Sequence, residues 1–102
     1  MIIIEWDERN REHFREHSRC TPAQVEDVLL ARCHGPRRRQ RKGPPGQQRR
    51  FRYEGQPCGG RFLVVIAAVR ASGLVLRPTT CWPLVGVDRM RYLSWRKTAR
   101  LR

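Results

Sequence analysis

Residues 50–69 read RFRYEGQPCGGRFLVVIAAV, and the fold turns on how this stretch alternates. Arg50, Arg52 and Glu54 interleave with Phe51, Tyr53 and Gly55, a period of two that marks a strand with one covered face and one basic face. Pro57-Cys58-Gly59-Gly60 supplies turn residues. Arg61 to Val69 then runs almost continuously apolar, as a strand covered on both faces and central in its sheet does. Arg70-Ala71-Ser72-Gly73 turns the chain again, and Leu74 to Thr79 is predicted as a further strand. In it Leu74 and Leu76 point one way and Val75, Arg77 and Thr79 the other. Short connections make these strands an antiparallel meander.

The flanks read as helices. After Pro83 a helix is predicted from about Val87 to Thr98, with Asp88 in its first turn and Arg96 and Lys97 in its last, each favourable to the helix dipole. Thr21-Pro22-Ala23-Gln24 is a capping box with Pro at the first helical position. The helix it opens carries an apolar stripe of Val25, Val28 and Leu29 and ends at Gly35-Pro36. Before it, Asp7 is an N-cap for a first helix reaching about Arg19, on which Asn10, His13, Phe14 and His17 share a face. Ile2 to Trp6 is a short β-prone run.

Between the second helix and Arg50, residues 37–48 read RRRQRKGPPGQQ, with no apolar residue, and 36–48 is predicted as a flexible basic loop. Such a loop is either a solvated insertion or an arm that orders on contact with phosphate. The predicted fold is one α+β domain over 1–102, an antiparallel sheet of three to four strands with two N-terminal helices and one C-terminal helix packed on one face.

Charge narrows the function. Over 102 residues, 22 Lys plus Arg stand against 9 Asp plus Glu, a net +13. Residues 1–30 carry four Arg against seven acids, net −3, whereas residues 31–102 carry 18 cations against Glu54 and Asp88, net +16. All the cations but Lys42 and Lys97 are Arg, whose planar fork pairs bidentately with phosphate and stacks on bases. A polyanionic partner is therefore expected, and a pure protein-interaction domain fits least. The bland alternative is that the charge only keeps the protein soluble. No apolar run approaches the roughly 20 residues that cross a bilayer, so neither a membrane span nor a signal peptide is expected. Without an export signal and without a C-x-x-C pair, Cys20, Cys33, Cys58 and Cys81 are expected as reduced thiols in a cytoplasmic protein.

Several segments carry a resemblance: Glu5-Trp6-Asp7 followed by Asn10, His13 and His17; the helix Thr21 to Leu29; Arg50 to Gly55 with Gly60 to Val65; Arg77-Pro78-Thr79-Thr80; and Asp88-Arg89-Met90-Arg91-Tyr92. In order and spacing the chain resembles the BrnT-type toxins of bacterial type II toxin–antitoxin systems, small RelE-like ribonucleases. The resemblance implies metal-independent RNA cleavage without a cofactor. In that chemistry the substrate's 2′-hydroxyl attacks phosphorus while the protein moves protons and stabilises the added negative charge.

By the same resemblance, Arg77 and Arg89 would hold the phosphate charge, Tyr92 would transfer a proton or stack, and His17 would act as base. Arg61 and Arg91 would be further phosphate contacts. Arg37, Arg38, Arg39, Arg41, Lys42, Arg50 and Arg52 are expected to grip the nucleic acid. Trp6, Trp82 and Trp95 could stack on bases, with Trp6 and Trp95 better read as packing residues. The implied partners are mRNA, free or on the ribosome, and a small acidic ribbon-helix-helix antitoxin in a heterotetramer. Where such toxins carry Arg and Thr or Ser just before the last helix, this chain has Trp82 and Val85. A non-catalytic RNA- or ribosome-binding module of the same fold is the competing reading.

Overall fold

A computed structural model describes residues 1–17, 19–41 and 48–100. In chain order the elements are β1 (Ile3–Ile4), α1 (Glu8–His17), α2 (Pro22–Leu29), β2 (Arg37–Arg41), β3 (Arg50–Gly55), β4 (Leu63–Arg70), a 3₁₀ turn (Ala71–Gly73), β5 (Val75–Pro83) and α3 (Gly86–Arg100). The strands form one mixed sheet in the order β1-β5-β4-β3-β2.

Central β4 behaves as its sequence demands: Leu63 to Val69 is buried throughout, because each face is covered by different helices. Leu63, Val65, Ala67 and Val69 pack with Phe14 of α1 and with Val25, Val28 and Leu29 of α2. Val64 and Ile66 point the other way and pack with Tyr92 of α3 and with Leu84, flanked by Phe62 and Trp95. The expectation of helices on one face is thus corrected to three layers. An apolar run fully covered on both sides does not say which helix covers which side.

The sheet also departs from an antiparallel meander of three to four strands. β1 runs parallel to β5, with Ile3 opposite Val75 and Ile4 opposite Leu76. On the other edge β2 pairs antiparallel with β3, so Arg37–Arg41 is a strand and not part of a flexible loop. Its lack of apolar residues hid it. The pairing is held instead by charge and rings: Glu54 of β3, 1% exposed, sits among Arg37, Arg39 and Arg52, and the Arg38 guanidinium lies 4.8 Å from the centre of the Phe51 ring. A row of arginines on an edge strand also discourages pairing with other chains. Residues 42–47 of the predicted loop lie outside the described residues.

Local signals fix the helix ends. Thr21 and Gln24 close the predicted capping box, the Thr21 hydroxyl accepting from the Gln24 amide at 3.2 Å and the Gln24 side chain accepting from the Thr21 amide at 3.0 Å. Asp7 and Asn10 make the same reciprocal pair at the start of α1, at 2.8 and 3.0 Å. Buried Asn10 further donates to the carbonyls of Glu5 at 2.9 Å and Pro78 at 3.3 Å, pinning α1 to β5. α2 stops at Leu29, short of Gly35-Pro36, because Ala31 turns left-handed at φ 51°. The amide of Arg32 then reaches the Asp27 carbonyl and that of Ala31 the Val28 carbonyl, a Schellman closure built on alanine. In β5 one extra residue, Thr79, bulges between Pro78 and Thr80, and its hydroxyl donates to the Ile66 carbonyl at 3.1 Å.

The four cysteines are not reduced thiols: Cys20 bonds Cys81 and Cys33 bonds Cys58. The fold brings the α1–α2 link onto β5 and the α2–β2 link onto the β3–β4 link, pairings that separations of 61 and 25 residues conceal. Among the described residues no helix is long and apolar enough to cross a membrane.

Candidate nucleic-acid interface

The sheet face shared with α3 carries the arginines. Cross-strand partners project to the same side, so from β2 to β5 three rows line that face. They are Arg37, Glu54, Val64 and Trp82; then Arg39, Arg52, Ile66 and Thr80; then Arg41, Arg50, Ala68 and Arg77. Strands lie about 4.8 Å apart, so each row spans roughly 14 Å. α3 covers Val64 and Ile66, reaches Arg52 through Asp88, and leaves Arg39, Arg41 and Arg50 exposed while Arg37 and Arg52 are partly buried.

Within the rows, charge compensation is uneven. Glu54 Oε2 accepts from Arg39 Nη2 at 3.2 Å, from Arg52 Nε at 3.2 Å and from Arg52 Nη2 at 3.1 Å, and Arg37 Nε lies 4.0 Å from Oε1. One carboxylate thus faces three guanidinium groups. Asp88 at the start of α3 adds a second acid 3.5 Å from Arg52. Among the described residues, exposed Arg41 and Arg50 carry no ion pair.

The opposite edge is neutralised. Arg77 donates to Glu5 Oε1 at 3.1 Å and to both oxygens of Asp7 at 2.7 and 3.3 Å, while Arg70 pairs with Glu5 Oε2. The Arg77 guanidinium, helped by the Asn10 amide, holds the Asp7 carboxyl at about 2, below its ordinary 3.8. Arg77 therefore joins β5 to β1 and to the cap of α1.

The four residues that the resemblance assigns to catalysis do not converge. His17 is exposed on α1, whose packing face lies across the sheet from α3; it sits 3.7 Å from Glu16 and 5.1 Å from the His13 ring. Tyr92 is fully buried between Phe62 and Trp95, with ring centres 5.7 and 5.8 Å away. Arg89 lies over Phe62 at 5.0 Å, and Arg91 is exposed 4.0 Å from Asp88.

The nucleic-acid residues divide. Arg37, Arg39, Arg41, Arg50 and Arg52 share one face; Arg38 lies on the other, over Phe51. Arg61 turns toward the α1–α2 link, donating to the Arg19 carbonyl at 3.3 Å, and Lys42 lies outside the described residues.

Sequence reasoning missed Glu54 and Asp88 as charge partners, Arg70, and the setting of Trp82. The run Arg37-Arg38-Arg39-Gln40-Arg41 shows the charge, but with Arg38 between Arg37 and Arg39 it does not show which arginines share a face. Arg9, Asn10, His13, Arg77, Pro78 and Thr79 line a cleft of about 230 Å³. A wider groove of about 800 Å³ beside α1 mixes Glu8 and Glu12 with Arg11, Arg15 and Arg19, and is not a polyanion site. Compared with known proteins, the chain matches no protein-family model and no curated protein.

Proposed function

We propose that this chain is a BrnT-like protein that binds single-stranded RNA, free mRNA or mRNA on the ribosome, through the arginine face of its sheet. The observation that carries the reading is the register bringing Arg37, Arg39, Arg41, Arg50 and Arg52 onto one face with Arg41 and Arg50 unpaired among the described residues. Guanidinium groups without a carboxylate can neutralise phosphates and so release the counterions condensed on the RNA, which drives the association. Titrating labelled single-stranded RNA at rising salt tests it. Affinity is expected to fall steeply and linearly on logarithmic axes, and salt-insensitive binding or none at low salt would reject the reading.

Metal-independent endoribonuclease activity is a second reading, favoured by one observation: His13 and Arg77 line the same cleft. A neutral histidine can take the 2′-hydroxyl proton as that oxygen attacks phosphorus, Arg77 would have to exchange Glu5 and Asp7 for the phosphate to stabilise the added charge, and the histidinium or water then protonates the departing 5′-oxygen. Incubation with structured RNA in excess EDTA, beside Arg77→Ala, decides it. Fragments ending in 2′,3′-cyclic phosphate, lost in the variant, establish cleavage; a mobility shift without fragments, also on translating ribosomes, leaves binding alone.

The partner that fits the toxin-like reading is a small acidic ribbon-helix-helix antitoxin in a heterotetramer, supported by the basic face and by exposed Val87, Met90 and Leu93 on α3. A neighbouring reading frame encoding such a protein is the direct check. Acting on mRNA implies a cytoplasmic protein, where disulfides meet a reducing pool. Alkylating thiols at lysis and weighing the product reads whether the two cystines form there.

A further inference from the structure

We propose that Trp82, with Arg52 beside it, is a stacking platform for an unpaired base of the bound RNA; this deepens the RNA-binding reading and rests on it. The three tryptophans differ in setting. Trp6 and Trp95 are partly buried and pack against the two cores, whereas Trp82 is 37% exposed at the end of the row that runs through Val64 and Glu54 to Arg37. It sits within a strand, so its indole is presented by a fixed backbone and little freedom is lost when a ligand covers it.

Arg52 is held in place by two carboxylates. Its guanidinium is bound by buried Glu54 at 3.1 and 3.2 Å, approached by Asp88 at 3.5 Å, and lies 5.7 Å from the centre of the Trp82 ring. A planar cation next to an exposed indole, with Arg39 and Arg50 as its neighbours on the same face, combines the two elements of a single-strand binder: a ring for the base and cations for the backbone. The surroundings choose the ligand. The cation site over the indole is already taken by Arg52 in a net positive neighbourhood, which disfavours a cationic ligand such as a methylated lysine. A neutral apolar segment would leave Arg41 and Arg50 unused. A base attached to phosphates uses both.

The test measures anisotropy of a labelled oligoribonucleotide and of an abasic oligomer with the same number of phosphates, using the full chain and its Trp82→Leu and Trp82→Phe variants. Thermal melts of each variant verify folding. Trp82→Leu is expected to weaken the base-bearing oligomer on the order of tenfold and to leave the abasic one unchanged, while Trp82→Phe recovers most of the loss. Indole fluorescence quenched by the oligomer in the parent, and less so in Trp82→Phe, supports the same conclusion. Equal affinity of the parent for both oligomers, or an equal loss for both in Trp82→Leu, overturns the platform while leaving phosphate binding intact. If the parent binds neither oligomer at low salt, the RNA reading itself falls and the platform with it; an acidic protein that then binds in a Trp82-dependent way assigns the face to a protein partner.

Discussion

The two edges of the sheet hold similar parts and differ in their balance of charge. At the β1–β5 edge Arg70 and Arg77 meet Glu5 and Asp7, two cations for two acids, and a buried disulfide, Cys20–Cys81, fastens β5 to the link between the first helices. At the β2–β3 edge Arg37, Arg39 and Arg52 surround Glu54, with Asp88 alone in addition, while Arg41 and Arg50 stand beyond, and the disulfide nearby, Cys33–Cys58, joins the α2–β2 link to the β3–β4 link. An arginine's availability to a ligand is set by the carboxylates around it and not by its identity. The first edge uses its cations to join elements. The second leaves Arg41 and Arg50 without a carboxylate among the described residues, as the proposed RNA contact requires.

Breaking each edge should expose that difference. The largest expected effect is loss of Cys20–Cys81: on the chain-entropy view, opening a cross-link between residues 61 apart removes about 4 kcal/mol of stability. Urea unfolding of Cys20→Ser/Cys81→Ser against the parent measures it. Next, Glu54→Gln leaves three arginines around a neutral amide and is expected to cost about 3 kcal/mol in the same assay. Because Glu54 also steadies Arg52, the variant should still bind RNA when folded, with the base-dependent part of the affinity reduced.

Acid separates the edges next. Asp7 has its carboxyl lowered in the fold from 3.8 to about 2, so its contribution is fully present above about pH 4 and is lost as pH falls toward 2. Carboxyl chemical shifts followed by NMR should give a midpoint for Asp7 near 2, moving up toward its ordinary value in Arg77→Ala. The smallest effect concerns the turn leading into the second edge. Ala31 is left-handed, and Ala31→Gly is expected to stabilise by up to about 1 kcal/mol, read as a raised melting temperature.

What the sequence revealed follows the same division. β3 and β4 were legible because their apolar residues alternate or run without interruption, and the capping box at Thr21 announced α2. β2 was not legible. Its five residues contain no apolar side chain, and what makes them a strand is Glu54 and Phe51 on another segment. β1 was readable as β-prone, but its parallel partners Val75 and Leu76 lie 72 residues further along the chain, where nothing in sequence points to them. The side of the sheet taken by α3 was likewise hidden, since Val64 and Val65 look alike in sequence and face opposite cores.

The candidate site was legible in part. The alternating arginines of 37–41 and 50–52 were visible as charge and not as one surface, because that requires the register between β2 and β3. Arg77 is a plausible phosphate ligand until Glu5 and Asp7, 72 and 70 residues away, are brought onto it. Tyr92 lies on a helix face that sequence alone cannot orient, and it turned inward.

The most direct measurement compares two double variants in binding to single-stranded RNA across a salt series. Arg41→Ala/Arg50→Ala should lower the slope of log affinity against log salt by roughly 1.4, about 0.7 for each phosphate no longer neutralised, while Arg70→Ala/Arg77→Ala should leave the slope of the folded protein unchanged. Equal reductions in both, or a reduction confined to the Arg70 and Arg77 pair, would contradict the assignment of the RNA face to the β2–β3 edge.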